Sequence, residues 1–363
     1  MVAIILLLMI VGLVVLSAYS PQGEAQPAPF FTPVVRVQLQ WYLLGLALFF
    51  FVAYLDYNKL REWTWLLYLL ILIALAGLFF TESVQRVHRW YRLPFLKVSL
   101  QPSEPAKLVV VIALSWFLER ERTASYSLKT VFKALCIVAL PFALIFKQPD
   151  LGTSLILCPI TLAMFYLGDV HPPFVRAMTG FSLLGLALIG SLFLGLISKE
   201  QIRPYAIHFL KEYQFDRLDP RSHQQQAAAT AIAMGGINGV GWRQSHYAAA
   251  GFLPTPYTDS VFPAFGEEFG LLGLLLLLGL FYALIYRCYR IALFAKDPFG
   301  RLLAAGISTY LAVHLLINVG MMSGFLPITG VPLILITYGG SSVLVTLIAL
   351  GILQSIYTRR FMF

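Results

Sequence analysis

The sequence predicts an all-α polytopic membrane protein of about ten transmembrane helices, and three observations carry that fold class. The 363-residue chain is 59% hydrophobic and only 12% charged, whereas soluble domains carry about 25% charged residues. Its mean hydropathy is +0.79. Ten apolar runs approach or exceed the ~20 residues that a helix needs to cross a bilayer core. No soluble domain, heptad run, phosphate-binding glycine loop or low-complexity tail interrupts them, and no nucleic-acid partner is expected.

The runs lie at residues 2–19, 38–55, 63–80, 104–118, 131–146, 153–168, 176–197, 263–286, 301–320 and 332–357. The first lacks a basic region ahead of it and leads into further spans, so it reads as a retained helix and not a cleaved signal peptide. An even number of spans puts both ends on one side, and the Lys/Arg content of short loops sets which side. With cytoplasmic termini the inner segments hold Lys59, Arg61, Arg120, Arg122, Lys129, Lys133, Arg176, Arg287, Arg290, Lys296, Arg301, Arg359 and Arg360. The predicted topology is therefore N-in/C-in, a single domain over 1–363 with one large extracytoplasmic loop, 198–262, between helices 7 and 8. A loop of that length is exempt from the charge rule and is too long to be a mere connector. The short outer segment 81–103 is not exempt, yet it carries Arg86, Arg89, Arg92 and Lys97. Cations kept outside against the rule suit either an anionic ligand or contact with lipid headgroups. Cys136, Cys158 and Cys288 are odd in number, lie in or beside apolar runs, and read as plain core residues.

Four polar motifs punctuate the apolar background. In LPTPYTDSVFPAFGEEFGLLG, Leu253 to Gly273, Pro263 is tolerated only in a first helical turn, so Ser260 fits as N-cap and Asp259 falls just outside the helix. The alternative is that Asp259 itself caps. Glu267 and Glu268 lie one to two turns deeper; adjacent residues diverge by about 100°, so one of them is expected to pair with Lys or Arg from another helix. In SLQPSEPAKL, Ser99 to Leu108, Ser103 is the expected cap, and Glu104 can pair with Lys107 three residues on. That pair reads equally as a bare structural salt bridge. Upstream, RVHRWYRL sets Arg89 and Trp90 at the outer interface, as an aromatic belt or as a sugar-and-phosphate contact, since guanidinium forks suit pyrophosphate oxygens. FKQPDLGTSL, Phe146 to Leu155, is an outer turn with Lys147, Gln148, Asp150 and Thr153, which Pro149 and Gly152 partly explain as a turn alone. GFLPITGVPLILITYGGSSVL, Gly324 to Leu344, breaks an apolar run with Pro, Gly and Ser. Irregular backbone at membrane depth survives only against protein or a water-filled cavity. Asn318, in the preceding span, is expected to make an interhelical hydrogen bond.

Together these motifs resemble the SEDS family (shape, elongation, division and sporulation), most of all its rod-shape members, over nearly the whole chain. The matching pieces are QPSE-xx-K at Gln101 to Lys107, KQPDLGTS at Lys147 to Ser154, LPxxxTDxxF-xxxGEExG at Leu253 to Gly270, and PLxLITYGGSS at Pro332 to Ser342. The resemblance implies a peptidoglycan glycosyltransferase that polymerises lipid II for cell elongation and shape at the outer face of the bacterial cytoplasmic (inner) membrane. It marks Asp259 as essential and carries functional weight to Glu104, Lys107, Asp150, Arg89 and Trp90, with Lys147 beside them. It also implies a class B penicillin-binding protein as partner, with other elongation-complex membrane proteins. The chain departs from the family pattern at Thr255 and Tyr257, where Glu and His are expected, and in the glutamine run HQQQAAATAIAMGG, His223 to Gly236. These receive no catalytic role.

The chemistry expected is attack by an acceptor hydroxyl on the anomeric carbon of a polyprenyl-pyrophosphate sugar, with Asp259 as general base. Arg89 and Lys107 would hold the leaving pyrophosphate. No nucleotide or organic cofactor is required. A divalent cation such as Mg²⁺ suits carboxylate plus pyrophosphate oxygen, but no motif fixes its ligands. The rival reading is a lipid-linked oligosaccharide flippase, which equally needs polar groups inside a bundle; against it, the polar motifs concentrate on the outer side. A non-catalytic scaffold has no use for Asp259 between spans.

Overall fold

The computed structural model describes residues 1–18, 30–81, 89–93, 98–206, 215, 219 and 222–361. Arg86, Lys97, Lys211, Arg217 and Arg221 lie outside the described residues. The helices, in chain order, are α1 (Val2–Ala18), α2 (Pro33–Tyr54), α3 (Lys59–Gly77), α4 (Ser103–Arg120), α5 (Leu128–Lys147), α6 (Leu151–Leu167) and α7 (Pro172–Phe193). Then follow α8 (Lys199–Ala206), α9 (His223–Gly235), α10 (Val261–Phe294), α11 (Pro298–Met322) and α12 (Gly340–Thr358). Seven of them (α2, α3 with its 3₁₀ extension to Phe80, α5, α7, α10, α11 and α12) are long and apolar enough to cross a membrane; α1 and α6 are shorter apolar helices. Caps follow side-chain chemistry: Thr32 accepts the Val35 N–H ahead of α2, and Asp297 accepts the Gly300 N–H ahead of α11.

α11 and α12 run through the interior. α12 lies along α2, and α11 packs on α10, α6 and α4. α7 is peripheral, with only Val175 and Leu192 buried. One polar cluster fixes the register between α3, α4 and α11. The Arg61 guanidinium forks onto both carboxylate oxygens of Glu119 (3.0 and 2.8 Å) and also binds Asp297, the cap of α11. The Tyr57 hydroxyl donates to the same Asp297, and burial, together with that carboxylate, raises the phenol's pKa.

Three features depart from the sequence reading. Residues 91–93 and 98–100 form a two-stranded antiparallel ribbon, β1 (Tyr91–Leu93) with β2 (Val98–Leu100), pairing Tyr91 with Leu100. The Tyr91 hydroxyl anchors it by donating to Ala74 O (2.8 Å) at the end of α3. Secondly, the run expected to be helical from residue 332 is broken as far as Gly339, and α12 begins only at Gly340. Thirdly, α10 is interrupted at Gly270, whose φ of 63° and ψ of −165° lie outside the helical range.

The last break is made by a docked loop. Val240 N–H donates to Glu267 O and Gly241 N–H to Glu268 O (both 3.0 Å), while Leu271 N–H reaches Gly236 O (2.9 Å) and Leu272 N–H reaches Ile237 O (3.1 Å). The backbones meet so closely that a Cβ on Gly239 would lie 2.1 Å from Glu268 O. Gly239 also has φ +81°, where a side chain is strained. Gly239→Ala should therefore cost about 1–3 kcal/mol and lower the melting temperature in detergent. Gly185→Ala on α7 is the control: a methyl group there meets nothing within 4 Å, so no loss is expected.

Candidate active site

Asp259 closes the loop that leads into α10. Ser260 occupies the N-cap position and Pro263 the third helical position, as the sequence predicts. The expected capping bond is not made: Ser260 Oγ instead accepts from Gln224 Nε2 (3.2 Å) on α9. The main chain ahead of the helix is held carbonyl by carbonyl. Tyr257 O accepts from Tyr338 N–H (3.0 Å), Thr258 O from Thr337 Oγ1 (3.2 Å), and Asp259 O from Asn318 Nδ2 (3.2 Å). Asn318 Nδ2 also donates to Val331 O (2.8 Å). Asn318 thus bonds backbone on two separate segments and fixes where the aspartate sits. The Asp259 carboxylate faces Gly330, where a methyl group would lie 3.4 Å from Oδ2.

The same 329–331 segment abuts the first turn of α6. A Cβ on Gly152 would come within 2.6 Å of Thr329 O. Two residues earlier, Asp150 caps α6 and gathers three side chains on one oxygen. Gln101 Nε2 (2.9 Å), Ser103 Oγ (3.0 Å) and Thr153 Oγ1 (3.0 Å) all donate to Oδ2, while Oδ1 accepts Thr153 N–H (3.4 Å). Ser103 is therefore not the cap expected for α4: it is the first helical residue, Pro102 holds the cap position, and its hydroxyl goes to Asp150. Ser341 closes the circuit by accepting Gln101 N–H (3.2 Å) and donating to Ser99 O (3.3 Å). All four sequence motifs therefore meet at one end of the bundle.

One layer further in, Lys107 Nζ lies 2.7 Å from Glu104 Oε1 and 2.7 Å from His314 Nε2. All three residues are buried, and the ammonium also sits over the Tyr310 ring, 5.3 Å from its centroid. Glu104 Oε2 has no hydrogen-bond partner among the described residues. His314 is one helical turn from Asn318 on α11, so the Lys107 cluster lies about 6 Å below the contact that holds Asp259. Sequence reasoning missed His314 because it sits in an apolar run without a motif. It likewise gave no role to Gln224, or to Gln225, which donates to Leu326 O (2.8 Å); the signal for both was the polar run on an otherwise small-residue helix.

Other predicted residues lie elsewhere. Among the described residues Glu267 pairs with no cation from another helix: its two oxygens accept Tyr247 N–H (2.7 Å) and Ala248 N–H (3.0 Å), and Glu268 accepts Arg243 N–H (3.3 Å). Both glutamates anchor the docked loop, and for Glu267 a pair of backbone donors satisfies the buried carboxylate as well as a side chain does. The Arg89 guanidinium donates to Gln148 O (3.2 Å) and to Pro149 O, so it binds the backbone next to Asp150. Trp90 is half-buried ahead of β1. Lys147 is exposed, with its ammonium 6.0 Å from the Phe79 ring centroid. Among the described residues no three His, Cys, Asp or Glu side chains converge as metal ligands; a dication would meet isolated carboxylates and not a preformed cage.

The cell cycle protein family of FtsW, RodA and SpoVE matches residues 1–361. The chain belongs to that family. The peptidoglycan glycosyltransferase MrdB of Escherichia coli (strain K12) is 32% identical over 87% of this chain and 84% of its own length. Among solved structures, a chain from a peptidoglycan synthase complex, solved for the structural coordination of polymerization and crosslinking, matches with TM-score 0.78 and 26% identity. It covers all of this chain and 98% of that one. The rod shape determining protein RodA of Thermus thermophilus matches with TM-score 0.70 and 25% identity, over 100% of this chain and 97% of its own. The long apolar helices are accordingly those of a multi-pass membrane protein.

The Glu104–Lys107 pair, at the inner end of the QPSE-xx-K motif, is fully buried. Lys107→Met strands a buried carboxylate and should cost about 3–5 kcal/mol. Glu104→Gln combined with Lys107→Met removes both charges and should recover most of that loss in a thermal melt. If the double variant still fails to polymerise glycan, the pair acts in the site and not only in the fold.

Proposed function

We infer that this chain is a peptidoglycan glycosyltransferase that polymerises lipid II into glycan strands, in cell elongation and shape, with Asp259 as its general base. The observation that carries the site assignment is the meeting of the four motifs around Asp259, with its loop held on three successive carbonyls. A base that must take a proton from an acceptor hydroxyl needs a fixed position more than a strong one.

In the proposed step the acceptor oxygen bonds to the anomeric carbon of the donor sugar, and the bond from that carbon to the pyrophosphate oxygen breaks. The hydroxyl proton passes to the Asp259 carboxylate and the electron pair leaves with the pyrophosphate. Lys107, one turn below, supplies positive potential towards the leaving group, and Glu104 and His314 keep it oriented. Arg89, spent on the carbonyls of Gln148 and Pro149, acts in this reading by shaping the Asp150 turn. Asp150 organises the starts of α4 and α6, while Trp90 and Lys147 form the rim on which sugar and phosphate settle.

We further propose the complete topology: a single transmembrane domain of ten spans, made by adding α1, α4 and α6 to the seven long helices. Both termini are cytoplasmic, loop 198–262 is extracytoplasmic, and the membrane is the bacterial inner one. The cations at the short connections between α2 and α3, α4 and α5, and α10 and α11 (Lys59 and Arg61; Arg120, Arg122 and Lys129; Arg287, Arg290, Lys296 and Arg301) support that orientation. A class B penicillin-binding protein is the proposed partner, because strands without cross-links make no wall.

Asp259→Asn should lower lipid II polymerisation by the purified protein about 10²–10⁴-fold while leaving the melting temperature unchanged, read as strand length on a gel. Near-normal strands would remove Asp259 from the role of base. The co-purified partner should raise the rate, and its ectodomain should crosslink to the 198–262 loop; an unchanged rate with no crosslink there excludes the loop as the point of coupling.

A further inference from the structure

From Ala227 to Trp242 the long loop ahead of α10 carries no charged residue, and its polar side chains there are Thr230 and Asn238 alone. Thr230 is exposed, yet its hydroxyl donates to Gln226 O (2.8 Å) one turn back, which leaves its methyl group to the surroundings. Met234, at the end of α9, is 45% exposed and Ile237, in the docked turn, 65%. Side chains of this size cost free energy in water, so an exposed group of them marks contact with something apolar.

Backbone pairing places that contact. Leu271 and Leu272 N–H groups bond Gly236 O and Ile237 O; both leucines are exposed, as are Leu275 and Leu276 one turn further along α10. The exposed apolar face of the membrane-spanning helix therefore continues onto the loop. From the Gly270 break to Arg287 the helix holds no charge, a length of about 24 Å. That is shorter than the ~30 Å of hydrocarbon, so with Arg287 at one boundary the acyl layer extends past Leu271 and the Ile237 beside it. Trp242 docks on α1: its indole N–H donates to Val14 O (3.1 Å), and Arg243, stacked on the indole (4.6 Å), reaches Ser17 O (3.0 Å). An indole paired with a cation is the composition of a membrane interface. We propose that residues 234–242 form an interfacial anchor: Met234 and Ile237 enter the acyl chains of the outer leaflet, Trp242 sits at its glycerol level, and the partner of this surface is phospholipid. α9 is then a strut between leaflet and site, because Gln224 at its other end bonds Ser260 and Gln225 bonds Leu326 O. The choice of leaflet rests on the orientation proposed above; the insertion does not.

The test is electron paramagnetic resonance of the full chain in liposomes of phosphatidylethanolamine and phosphatidylglycerol, with a nitroxide on I237C. The exposed Cys136 and Cys158 are first removed as C136A/C158A, and Cys288 is buried. Collision rates with oxygen and with nickel ethylenediaminediacetate give the depth of the label. I237C should read about 5–10 Å below the lipid phosphates. L275C on the span supplies the hydrocarbon reference, and T123C, exposed between Arg122 and Ala124, the aqueous one. M234C carries the label if I237C lowers the melting temperature. Nickel access equal to that of T123C places the turn in water and overturns the anchor. Access to neither reagent puts protein against the turn, and dipolar broadening between labels identifies that protein as a second copy; either result overturns the lipid assignment. Polymerisation enters none of these readouts, so failure here leaves the role of Asp259 untouched.

Discussion

Backbone that leaves the helical path inside a membrane protein must find its hydrogen bonds elsewhere, because hydrocarbon offers none. The chain between Ser323 and Gly339 is such a stretch, and most of what surrounds Asp259 exists to satisfy it. From α2, Gln38 donates to Thr337 O (3.3 Å) and accepts Gly339 N–H (3.2 Å), and one turn on Tyr42 donates to Leu335 O. From within, Thr337 Oγ1 accepts Leu333 N–H (2.9 Å). Asn318 takes Val331 O on the other side. The same donors that keep the break from unravelling also hold the carbonyls of residues 258 and 259, so integrity of the break and position of the carboxylate are one problem with one solution.

That economy has an electrostatic counterpart. Polar groups are expensive at this depth, and the protein concentrates them in two layers instead of scattering them. The outer layer is the Asp150 carboxylate with its four donor bonds; the inner is Glu104, Lys107 and His314. Each layer pins the start of α4 to a different helix, α6 above and α11 below. The Arg61–Glu119–Asp297 cluster secures the other ends of α4 and α11. Two helices fixed at both ends leave little freedom to the side chains between them, which is what a preorganised site requires.

Much of this was legible in the sequence, for identifiable reasons. Apolar runs found most of the long helices to within a few residues, while α10 runs eight residues past the expected 286 and α12 starts eight residues after the expected 332. Pro263 located the start of α10 and kept Asp259 outside it. What escaped was set by partners distant in sequence. One of Glu267 and Glu268 looked like half of an ion pair because the donors to Glu267, the amides of residues 247 and 248, carry no sequence signature. Ser103 looked like a cap because nothing local reveals that Asp150 lies across from it. The strands at residues 91–93 and 98–100 are too short for alternation to show, and their anchors, the Tyr91 hydroxyl bonded to α3 and Ser341 bonded to Ser99 O, are distant in sequence. His314 was hidden in an apolar run, visible only once Lys107 was seen opposite.

The interruption at Gly270 bears on how the protein fits its bilayer. α10 counts 34 residues, about 51 Å if straight, far more than the ~30 Å of hydrocarbon a membrane offers. The break divides it, leaving the segment from Leu271 to Phe294 at about 36 Å, a length that spans with modest tilt. In the topology proposed above, the short upper piece, from Val261 to Phe269 with the loop docked on it, would then stand at headgroup level. In that topology this is also the height of a lipid-borne pyrophosphate, so the match of helix to membrane thickness would set the altitude of the carboxylate.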